Sequence, residues 1–75
     1  MKKVNKTQAR KLFNKGVTLF LLPSKVGFNN CWISPYRLNI NECENEKDFD
    51  KIVNAYSYYN CNTDLGKIIS YYVED

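Results

Sequence analysis

Seventy-five residues carrying a net charge of +3 make one domain, 1–75, and a chain this short buries only about 60% of its unfolded surface around a single core. There is no histidine, which removes the usual general base, the usual proton shuttle and the commonest metal ligand. Residues 1–41 hold eight Lys or Arg and no acid, whereas 42–75 hold eight acids and three Lys, so the halves either present a nucleic-acid face or neutralise each other in the fold.

In chain order, Asn5-Lys6-Thr7-Gln8 has the form of a capping box, with Val4 and Ala9 placed as a hydrophobic staple. Ala9, Leu12 and Phe13 form one apolar stripe, and Gly16 suits the left-handed position just past a helix end. A first helix is predicted over about 6–15. Its outer face carries Lys6, Arg10, Lys11 and Lys15, as a solvated face or as a contact surface.

Val17 to Leu22, bounded by Gly16 and Pro23, is too short for a helix and reads as a buried strand. Residues 23–30 form a loop whose Val26 and Phe28 either tuck under the sheet or anchor a partner. Cys31 to Ile40 reads as a second strand, with Trp32, Tyr36, Leu38 and Ile40 at alternate positions. Pro35 cannot donate to a ladder, which places that strand at an edge or bulges it. After a polar loop at 41–45, Phe49, Ile52, Val53, Tyr56 and Tyr59 predict a second helix over about 46–59, with acids at 46, 48 and 50 in its first turns. Asn60 is placed as a left-handed stop, residues 59–66 as a structured turn, and Lys67 to Val73 as a third strand.

The order α-β-β-α-β is consistent with a small two-layer α+β domain. Its sheet is expected to be three-stranded and antiparallel, in the order 3-1-2, with the apolar strand central and both helices on one face. The second face would then carry aromatic and aliphatic residues, and a large bare patch is uncommon on a monomer. The long loop and N-terminal tail, a homodimer or a foreign protein could each cover it.

Cys31, Cys43 and Cys61 are too widely spaced for paired zinc ligands, and their odd number fits reduced thiols in a cytoplasmic protein. Cys31 and Cys61 are expected to be buried and Cys43, between two glutamates, exposed. No apolar run approaches a membrane span, and no h-region follows Lys2-Lys3. No nucleophile–base pair or cofactor motif is legible, so the chain is expected to be non-enzymatic and without cofactor or metal. Candidate binding residues are the cations Lys6, Arg10, Lys11, Lys15, Lys25 and Arg37, with Phe28, Asn29 and Trp32 around the loop and Tyr59, Asn60 and Asn62 at the turn. A sheet bearing Phe20, Trp32 and tyrosines beside lysines also suits base stacking, which keeps nucleic acid open as a ligand.

Gln8-Ala9-x-x-Leu12-Phe13-Asn14-x-Gly16, Leu21-x-Pro23-Ser24-Lys25 and Tyr58-Tyr59-Asn60-Cys61-Asn62 with Gly66 give the chain a further reading. Across most of its length it resembles small proteins of phages and mobile elements in Gram-positive bacteria. That resemblance implies an accessory protein that works by binding a host protein, including inhibition of host defence. It assigns no role to any residue.

Overall fold

The computed structural model describes residues 1–23, 34–60 and 69–74. Among these residues, four strands and two helices follow one another in the order β1 (Lys2–Val4), α1 (Lys6–Asn14), β2 (Leu19–Pro23), β3 (Tyr36–Leu38), α2 (Phe49–Asn60) and β4 (Ile69–Val73). A 3₁₀ turn, Ile40–Glu42, follows β3. The α+β class stands, and the sheet is antiparallel throughout.

Among the described residues the sheet has four strands, in the order β1-β4-β2-β3. The expected three-strand order is contained within it, and β1 adds a fourth strand beside β4. Lys2 pairs with Val73 and Val4 with Tyr71. Two exposed lysines and one valine carry little strand signal, which is why Val4 reads more readily as a helix staple. Because neighbours run antiparallel, β1 is parallel to β2 with β4 between them, and β3 is parallel to β4 with β2 between them. Each helix therefore crosses over between parallel strands separated by one other.

The register settles the faces of β2. Leu19 pairs with Leu38, and Leu21 with both Tyr36 and Tyr71. Side chains alternate across a sheet, so Leu19 and Leu21 lie under the helices while Phe20 and Leu22 lie on the opposite face. Leu19 and Leu21 are fully buried with Ala9, Phe13, Leu38, Phe49, Val53 and Tyr71. The second face is not bare, because Leu22 is fully buried and Ser70 is 4% exposed. Val17 lies outside the strand and is exposed.

Helix ends follow local chemistry closely. Asn5 Oδ1 accepts from Gln8 N–H at 2.8 Å, and Gln8 Oε1 accepts from Asn5 N–H at 3.2 Å, completing the capping box. At the other end Gly16 has φ +87°, Gly16 N–H donates to Phe13 O and Val17 N–H to Leu12 O. Those two bonds make a Schellman motif, which satisfies carbonyls the helix would otherwise orphan.

Helix α2 begins three residues later than its acids suggest. Asp48 Oδ1 accepts from the amides of Asp50 and Lys51, so Asp48 is the N-cap and only Asp50 lies in the first turn. Glu46 in turn accepts from Asp48 N–H. Asn60 is the last residue of α2 rather than a left-handed residue beyond it. Cys43 is half-buried against the core, its Sγ donating to Asn39 O at 3.3 Å, which corrects the exposed placement. The loop with Val26, the start of the second predicted strand with Cys31, the 61–66 part of the turn with Cys61 and Gly66, and Lys67 lie outside the described residues.

Candidate binding surfaces

The cations expected on one face are divided among three places. Helical spacing of four sets Lys6 and Arg10 on the flank of α1 that meets α2. There the Arg10 guanidinium donates to Asp50 Oδ1 at 2.7 Å, and Lys6 Nζ lies 3.8 Å from the same oxygen. Arg10 Cζ also sits 5.7 Å from the centroid of the Phe49 ring, a cation–π placement. Its Nε is buried without a hydrogen-bond partner among the described residues. The hydrogen bond from Arg10 holds the Asp50 carboxyl below its ordinary pKa, with the charges of Arg10 and Lys6 adding to it and partial burial opposing. The basic and acidic halves thus neutralise each other at this contact.

Lys11 and Lys15 point away from that contact and are exposed, with no ion pair among the described residues. Arg37 is paired with Phe20 in the ladder and so belongs to the sheet face opposite the helices. It does not join the cations of α1. Its guanidinium grips both carboxylate oxygens of Glu42, with the Oε2 contact at 2.7 Å. Tyr59 and Asn60 occupy the last turn of α2, and their side chains lie outside the described part, as do Lys25, Phe28, Asn29, Trp32 and Asn62.

Two features escaped the sequence reading. Tyr36, on edge strand β3, is 46% exposed while its ring stacks on Tyr56 at 5.4 Å. Tyr56 is itself anchored by its hydroxyl, which donates to Leu21 O at 3.3 Å. The result is an outward aromatic ring with a fixed back. Beside it a cleft of about 330 Å³ runs between β3 and α2, walled by Ile52 and Cys43 and rimmed by Arg37, Glu42, Glu44 and Glu46. Pro35 immediately before Tyr36 was the available signal, since it marks an edge.

The second feature is Asn39. Its amide donates to Gly16 O at 3.1 Å and Thr18 Oγ1 at 2.8 Å, while its own oxygen accepts from Asn41 N–H at 2.8 Å. One side chain therefore ties the exit of α1 to the corner after β3. On the far sheet face, Lys3, Tyr72, Phe20 and Arg37 form one cross-strand row.

Comparison with protein-family models, with curated proteins and with solved structures finds no match to this chain. No helix among the described residues is long and apolar enough to cross a membrane.

Proposed function

We propose that this chain is a non-enzymatic accessory protein of a phage or mobile element that binds a host protein in the cytoplasm, with inhibition of host defence as its use. The observation that supports this most is the Tyr36 ring, exposed on an edge strand yet held from behind by Tyr56. A rigid aromatic gives large contact area at small entropic cost, and tyrosine is enriched among residues that dominate interface energy. Capture from a lysate of the native host, with wild-type and Tyr36→Ala baits compared by mass spectrometry, tests the reading. One protein retained by the wild type and lost with Tyr36→Ala supports it. An empty capture, or one indifferent to the substitution, overturns it.

Nucleic acid is the second reading, favoured by one observation: Lys2, Lys3, Lys11 and Lys15 are exposed with no ion pair among the described residues. Against it, Arg10 and Arg37 are committed to Asp50 and Glu42.

A further inference from the structure

Strand β1 is an edge, and no described strand pairs with its outer side. It leaves backbone donors and acceptors facing outward along Lys2–Val4, the arrangement to which an extended peptide can add. Beside it opens a second cleft, of about 500 Å³, a size typical of ligand sites. Val4, Val53 and Ile69 give it apolar walls, Asn54 and Ser57 of α2 form part of its polar rim, and Lys3 and Lys6 also line it. Among the described residues no acid lines it.

The pleat of β1 distributes its charge usefully. Lys2 lies on the helix side with Val4, and Lys3 lies on the opposite side. A strand added to this edge would set its own alternate side chains about 5 Å from these residues, within reach of both ammonium groups. Lys6, half exposed and 3.8 Å from Asp50, adds a third cation that is only loosely held. Lysines on an edge also discourage unwanted strand pairing, but that guarding role gives no reason for an apolar-walled cleft beside them with no acid among its described lining residues.

From this juxtaposition we infer that an extended acidic segment of the partner adds to the edge of β1. Its carboxylates meet Lys2, Lys3 and Lys6, and one apolar side chain enters the cleft over Val4. This rests on the protein-binding reading above and names the chemistry that reading leaves open.

The test uses the whole chain, isotopically labelled, and as probe a blocked hexapeptide of Asp/Glu with one central Leu, which sets acids on both faces of the added strand, with its Asn/Gln counterpart as control. Amide shifts confined to Lys2–Val4, Lys6, Asn54, Ser57 and Ile69 are expected at millimolar acidic peptide in low salt, with the control weaker by about tenfold or more. Lys3→Glu/Lys6→Glu, two exposed substitutions, should abolish them while leaving the rest of the spectrum unchanged. Lys2→Glu, changed alone, should weaken them and so guards against an unfolded double variant. No shifts, shifts elsewhere, or equal binding of the neutral control overturns the inference. So does a short oligothymidylate that binds the same residues more tightly, because the cleft is then a nucleic-acid site. A host partner still captured by Lys3→Glu/Lys6→Glu overturns this edge while leaving the protein-binding reading intact. An empty host capture with wild-type bait fails that reading instead.

Discussion

At the scale of single residues, the chain relies on a few side chains that satisfy several backbone groups at once. Gly16 holds φ +87°, where a Cβ would also meet Asn41 Nδ2 at 3.2 Å. The Asn41 amide is the far end of a flexible side chain and can yield, but the backbone strain cannot. Gly16→Ala should therefore cost about 1–2 kcal/mol, the penalty for a left-handed L-residue, read as a lower urea midpoint. Asn39→Ala removes two donated bonds and one accepted bond, and should cost about 1–3 kcal/mol in the same measurement. Asp50 is testable by pH. Its folded pKa is depressed by Arg10, so the stability this contact contributes is present above the unfolded pKa and lost as pH falls through the folded one. An NMR titration should place the Asp50 carboxyl midpoint below that of an Asp in an unstructured peptide, and Arg10→Ala should return it upward. A midpoint at the peptide value would show the contact to be absent in solution.

At the scale of elements, Phe49 joins the layers. Its ring lies 5.6 Å from Phe13 of α1 and 5.9 Å from Tyr71 of β4, so α2 begins at the point where it packs most tightly. Phe49→Ala should cost about 3–5 kcal/mol, enough to unfold a domain of this size partly at ambient temperature. Thermal melts followed by far-ultraviolet circular dichroism would show it. These elements also show what a sequence can carry. Helix α1 was legible from both ends because its caps are local: Asn5 and Gln8 are three residues apart, and Gly16 closes the helix by bonds within five residues. Helix α2 was misplaced at its start because Glu46, Asp48 and Asp50 all suit a first turn, and only the hydrogen bonds show that Asp48 caps it. Strand β1 was illegible, since its place beside β4 depends on a partner about 70 residues away. The Tyr36–Tyr56 stack was hidden for the same reason: two residues 20 apart meet only once the sheet and α2 are packed.

At the scale of the molecule, part of the charge asymmetry of the sequence is neutralised within the fold. Lys6 and Arg10 reach across to Asp50, and Arg37 folds back on Glu42, so a net +3 does not become one basic face. Affinity for duplex DNA should accordingly be absent at micromolar concentration near 0.15 M salt, about physiological ionic strength, as read by electrophoretic mobility. If binding appears, its salt dependence counts the phosphates contacted at a slope of about −0.9 each. A slope corresponding to several contacts would move the reading from a protein partner to nucleic acid.

The pairing of β1 with β4 also sets a condition on how the protein is made. Strand β1 has to wait for β4, and β2 lacks its second neighbour until Ile69–Val73 has emerged. A sheet closed by such distant partners loses chain entropy before it gains contacts, which slows folding. A released chain truncated before residue 69 should be cleaved readily by protease, and the chain that includes Ile69–Val73 should resist.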